Sequence, residues 1–262
     1  MVRFRLNIPV CGFAIFVGLG SQIEAATATL HPTADATLFE ASPDNNLGDS
    51  GSFMAGLRPK GGRSRALMLF NFPTGVPANA TITAATLSLS VVRTPSGQAN
   101  SSFELHKMLQ SWGQEGNKSS SGGGAPASVG EVTWNSRSSS LTPWSTPGGL
   151  AGTDFASSSS AAQFVAGNGT YTFSSANLLT DVQSWYANPS QNFGWMLLSA
   201  AEGTSRSIRR FGSHEDALNA PTLTIQYTVV PEPSTGIFLL SLSAFGGTLL
   251  WRRYRSGVLP RP

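Results

Sequence analysis

Along the stretch ATLSLSVV, residues 85–92, Leu87, Leu89 and Val91 alternate strictly with Thr86, Ser88 and Ser90. Successive side chains of an extended backbone point to opposite faces, so a period of two gathers the apolar groups on one side and the hydroxyls on the other. The segment reads as a β-strand with one face in a core and one in water, as antiparallel sheets commonly have. TLTIQYT, residues 222–228, repeats the pattern with Leu223, Ile225 and Tyr227.

RALMLFNF (65–72) and GWMLLS (194–199) are apolar on both faces, as central strands of a packed sandwich are. One segment breaks the period. In SSANLLTDVQSWYANP, Leu178, Val182 and Trp185 fall at i, i+4 and i+7, Ser174 or Ser175 offers a cap, and Pro189 lies beyond the end. This spacing predicts a short helix covering an open end of the sandwich. Between residues 113 and 170 the runs SSSGGG, SRSSS and SSSS leave only the brief islands EVTW and LTPW. Serine and glycine at this density favour long flexible loops over a second core. The body is therefore expected to be all-β, an antiparallel sandwich with one short helix, spanning residues 29–229.

The two ends of the 262-residue chain are different in kind. Arg3 and Arg5 precede an apolar run from Ile8 to Leu19, and Ala25, Ala26 and Ala28 follow where a signal peptidase cuts, so residues 1–28 read as a signal peptide. Cys11, the only cysteine, falls inside that segment. An exported body without it has no disulfide, no thiolate metal site and no cysteine nucleophile. At the other end the 17 residues from Thr235 to Trp251 carry no charge, the short limit for a transmembrane helix. Trp251 and Tyr254 sit where interfacial aromatics sit, and Arg252, Arg253 and Arg255 mark the cytoplasmic side of an inner membrane. A buried terminal helix is the alternative, but it should show a polar face. The ends also hold the excess charge: the body keeps 11 of the 17 Lys and Arg and 12 of the 14 Asp and Glu. It is close to neutral, with no basic stripe suited to nucleic acid.

Pro231, Glu232 and Pro233 stand just before the apolar run. With the helix 235–251 and the arginines behind it, residues 230–256 resemble the PEP-CTERM sorting signal of Gram-negative bacteria. That resemblance implies a membrane-anchored precursor, processed near the motif by an exosortase-type protease and delivered to the cell surface or extracellular matrix.

Three histidines, His31, His106 and His214, lie far apart, and no G-x-S-x-G or H-E-x-x-H pattern surrounds them. Glu104, Glu115, Glu131, Asp154 and Glu202 are isolated acids that single out no glycosidase pair. No enzyme is expected. In SPDNNLGDSG, Asp44, Asn46 and Asp49, with Asp35 upstream, offer the hard oxygens of a structural Ca²⁺ site, although such residues also build plain turns. Cations cluster at Arg58, Lys60, Arg63 and Arg65, and again at Arg206, Arg209 and Arg210. If the two stretches meet they form a basic patch for a uronate or sulfate polymer; otherwise they are a solvated face. Trp112 and Trp144 border polar loops, where an indole either stacks on sugar or packs inward, whereas Trp185 and Trp195 belong to the core.

The segments HPTADATLFEASPDNNLGDSG, RSRALMLFNFP, ATITAATLSLSVV, SSFELHKMLQSW, EVTWNSR, TPWSTPGG, LLTDVQSWYANPSQNFGWMLLS, RRFGSHED and APTLTIQYT, in that order, resemble the DNRLRE domain, which is related to carbohydrate-binding module family 96. The resemblance covers residues 28–228 and implies a jelly-roll-type sandwich. It also implies an exported, non-catalytic module that binds extracellular polysaccharide, including acidic polymers such as alginate. In GSHED, His214 stands where the family commonly has Arg or Lys. The other class of function that fits is a structural or adhesive surface or matrix protein without a sugar site.

Overall fold

The computed structural model describes residues 24–72, 76–113 and 122–229. The expected signal peptide, apart from residues 24–28, and all of Pro231, Glu232, Pro233, Arg252, Arg253, Arg255 and the span 235–251 lie outside the described residues. In chain order the strands are β1 (Glu24–Leu30), β2 (Ala34–Phe39), β3 (Asn45–Leu47), β4 (Ser52–Leu57), β5 (Arg63–Leu69), β6 (Ala80–Arg93), β7 (Ser101–Lys107), β8 (Ala125–Pro126), β9 (Ser136–Ser138), β10 (Thr142–Pro143), β11 (Ala161–Val165) and β12 (Gly169–Phe173). Helix α1 (Ala176–Ala187) follows, then β13 (Trp195–Ser199), β14 (Arg209–Gly212) and β15 (Thr222–Val229). Among the described residues no helix is long and apolar enough to cross a membrane.

The alternating stretches behave as their period requires. β6 pairs antiparallel with β15, β12 and β14, and Leu87, Leu89, Leu223 and Ile225 are buried while Thr86, Ser88 and Ser90 stay partly exposed. β14 pairs in turn with β4, which completes one layer. β5, β13, β7 and β11 pair antiparallel in that order to form the facing layer, with β2 on the other edge of β5. The two layers interdigitate: Phe211 of β14 lies between Phe53 of β4, 5.7 Å away, and Phe103 of β7, 5.4 Å away. β4 belongs to both layers, because Gly56 and Leu57 pair with Ser64 and Arg63 of β5. Gly56 has φ 109, and a Cβ there would stand 2.7 Å from the Ile208 Cα. Only glycine permits both that dihedral and that approach.

The helix forms where the period of 3.6 places it. Ser175 caps it, its Oγ accepting the Leu178 N–H at 3.0 Å, and Leu178, Val182 and Trp185 are buried. Trp185 meets Trp195 edge-on at 4.5 Å. Asp181 is also buried, and its carboxylate accepts from Trp195 Nε1 at 2.9 Å and Ser160 Oγ at 2.5 Å.

The serine- and glycine-rich region corrects the expectation of flexible loops. Its described part, from residue 122 on, folds with Trp112 across the outer face of the β2–β5–β13 layer and builds a second core there: Trp112, Val132, Trp134, Trp144 and Phe155 pack on Leu38, Leu67, Leu69, Met196 and Leu198. Four large aromatics bury roughly 150–250 Å² each, so a few anchors suffice for a segment poor in apolar residues. The polar residues between them satisfy the backbone. The Asp154 carboxylate accepts the Leu150 N–H at 2.7 Å and both Ser145 N and Oγ at 3.0 Å. The glycines admit the indoles: a Cβ on Gly148, at φ 85, would lie 2.6 Å from the Trp134 ring.

Candidate functional site

The outer face of the β6–β14–β4 layer carries a cleft of about 740 Å³. Met54 and Ile208 form its apolar floor, and four cations, Arg58, Lys60, Arg93 and Arg210, line it. Among the described lining residues none is acidic. Arg58 follows β4, its guanidinium donating to the Gly122 carbonyl and stacking 4.7 Å from the buried Phe39 ring. Lys60 stands on the β4–β5 turn, which Gly61 and Gly62 close with φ 87 and φ 86. Arg210 lies opposite Arg93 in the β14–β6 register. Burial lowers the pKa of Arg58, and the Arg210 charge lowers it further. Arg210 is lowered in the same way, first by burial and then by Arg93. Guanidinium remains protonated regardless, so these shifts register first the burial of the two charges and second their repulsion by like-charged neighbours.

Arg58, Lys60 and Arg210, from the two cationic stretches of the sequence, therefore share one cleft. Four other expected contacts do not join them. Arg63 is bound to Glu40, with Nη2 2.6 Å from Oε1, and stacks 5.2 Å from Trp134. Arg209 is fully buried, since β14 alternates and turns it away from the cleft. Trp112 and Trp144 are buried in the second core, their indole N–H groups donating to Phe193 O at 2.9 Å and Thr133 O at 2.8 Å. Packing took both indoles from the surface. Arg93 is the residue that sequence reasoning missed. By alternation it falls in the frame of Leu87, Leu89 and Val91, but a bulge sets the step from Val91 to Arg93 against the single step from Phe211 to Arg210. That extra residue flips Arg93 outward.

The oxygen donors expected around calcium separate into two places. Asp44 accepts from Asn135 Nδ2 at 2.8 Å, and Asn46 donates to Val132 O at 2.6 Å, both turned to the second core. Asp35 instead meets His214, whose backbone N–H and Nδ1 both approach Asp35 Oδ2, at 2.8 and 2.9 Å. His214 Nε2 lies 3.0 Å from Glu215 Oε1, and the Asp49 charge also raises the His214 pKa. The larger cause of that rise is the hydrogen bond to Asp35. The imidazole stands among three carboxylates, which favour its protonated form, in the position where the resemblance implies Arg or Lys.

The PEP-CTERM protein-sorting motif matches residues 229–255 and marks an exported, membrane-anchored precursor processed by an exosortase. No curated protein matches the chain. The family model of carbohydrate-binding module family 96 matches residues 26–227, the sandwich with its second core save the outermost residues of β1 and β15. The chain thus belongs to carbohydrate-binding module family 96 and carries a sorting motif directly behind the module.

Proposed function

We propose that the protein is an exported binding module that holds an acidic extracellular polysaccharide in the cleft between Arg58, Lys60, Arg93 and Arg210. The observation that carries this reading is the like-charged cluster itself. Three guanidiniums and an ammonium converge with no carboxylate among the described lining residues, a costly arrangement that an anionic ligand relieves. Uronate and sulfate groups suit it, because guanidinium binds planar or tetrahedral oxyanions through paired N–H donors. The apolar floor of Met54 and Ile208 suits the C–H faces of a sugar. No step of bond cleavage is assigned to the site.

Affinity electrophoresis through gels containing alginate, a sulfated polymer or a neutral glucan tests the proposal. Retardation by the acidic gels alone, lost in Arg210→Ala, is the expected result. Equal mobility in all gels would leave a structural or adhesive matrix protein as the better description.

A further inference from the structure

The cleft wall formed by Thr94, Pro95 and Ser96 belongs to the loop between β6 and β7, and two arginines outside the cleft hold that loop. Arg206 Nη1 donates to Ser96 O at 3.0 Å, and the Arg206 carbonyl accepts the Ala99 N–H at 3.1 Å. Arg209 Nη2 donates to Ala99 O at 3.0 Å and Asn100 Oδ1 at 3.1 Å. Its Nε reaches Ala166 O at 2.7 Å, and Nη1 reaches Ser207 O and Ile208 O at 3.1 and 3.0 Å. No carboxylate appears among these acceptors. Arg206 moreover has φ 67, a left-handed backbone that costs a residue carrying a Cβ about 1 kcal/mol or more. Gly97 leaves the room its guanidinium needs, since a Cβ there would stand 2.7 Å from Nη1.

A buried guanidinium answered only by carbonyls and an amide, beside a strained arginine, is expensive for fold stability alone. We infer that Arg206 and Arg209 are positioning residues of the binding cleft: they fix the 94–100 loop as its wall without touching the ligand. This rests on the proposed binding of an acidic polymer. The segment RSIRR then does two jobs, with Arg206 and Arg209 holding the wall and Arg210 facing the bound anion.

Arg206→Gly separates positioning from folding, because glycine accepts φ 67 freely while the tether to Ser96 is lost. The experiment measures alginate affinity of the purified protein against salt concentration, together with the melting temperature. Expected are a melting temperature at or above that of the wild type, an affinity weaker by about fivefold, and an unchanged slope of log affinity against log salt, as loss of preorganisation predicts. Arg206→Lys, which keeps the charge but not the fork, should weaken binding similarly. Wild-type affinity in Arg206→Gly overturns the inference, and so does a slope reduced by about one, which marks a direct ion contact. Failure of the wild type itself to bind any acidic polymer defeats the underlying reading as well.

Discussion

Arg93 and Arg210 are cross-strand partners of the same charge, set opposite each other where β6 bulges against β14. Like charges so placed destabilise a sheet by roughly 0.2–1 kcal/mol, and Arg58 adds a third to the cluster. Arg93→Thr should therefore raise the unfolding free energy of the ligand-free protein by about 0.5 kcal/mol. The same change should weaken retention in alginate gels. Urea unfolding at low salt, run beside the gels, checks both; a variant that is less stable and equally well retained would remove Arg93 from the site.

Trp134 anchors the second core and has guanidiniums on it, Arg63 at 5.2 Å and Arg65 at 5.3 Å. Arg65 is itself held by Glu202, with Nη2 2.8 Å from Oε2, and donates to Gly148 O at 2.8 Å. Trp134→Ala should cost about 3–5 kcal/mol, the range for removing a buried tryptophan. The loss should open the aromatic-anchored region first, so limited proteolysis is expected to cut between residues 122 and 156 before it cuts the sandwich.

The Asp35–His214–Glu215 cluster makes stability depend on pH with a defined sign. Burial raises Asp35 above 3.8 and Glu215 above 4.5, and the Asp35 hydrogen bond raises His214 above 6.5. All three groups hold their protons more tightly folded than unfolded. Each contribution is complete below the unfolded value and is lost as pH rises through the folded one. Glu40 acts oppositely, since its hydrogen bond to Arg63 lowers it from 4.5, but that pair is more than a third exposed and worth little. The melting temperature should fall as pH rises from about 6 to about 8, and His214→Gln should flatten that slope. A flat wild-type profile over this interval would show that His214 does not titrate with the fold.

Gly56→Ala should cost more than about 3 kcal/mol, because the added methyl meets the Ile208 backbone at 2.7 Å and the residue is forced to φ 109. Circular dichroism during thermal unfolding measures it. Gly51, where an added Cβ meets nothing within 4 Å, provides the control.

Much of the sandwich was legible because burial alternates wherever a strand has one wet face. Leu87, Leu89, Val91, Leu223 and Ile225 all occupy the core that their spacing assigns, and Ser175 caps the helix that Leu178, Val182 and Trp185 announce. The second core was not legible, because its anchors are separated by long polar runs and only the folded chain brings Trp112, Trp134, Trp144 and Phe155 together. The cleft was half legible. Arg58, Lys60 and Arg210 stand out as cations, but a bulge decides the direction of Arg93 and strand alternation decides that of Arg209. Neither depends on composition.

The dual membership of β4 has a mechanical consequence. Arg58 extends from the end of β4, and Arg210 lies on β14, which is hydrogen-bonded to the other half of β4. A long polymer gripped by both arginines and pulled by flow would load one strand that is laced into both layers. In the proposed binding mode such a pull would enter both layers through β4 at once, rather than through one ladder alone.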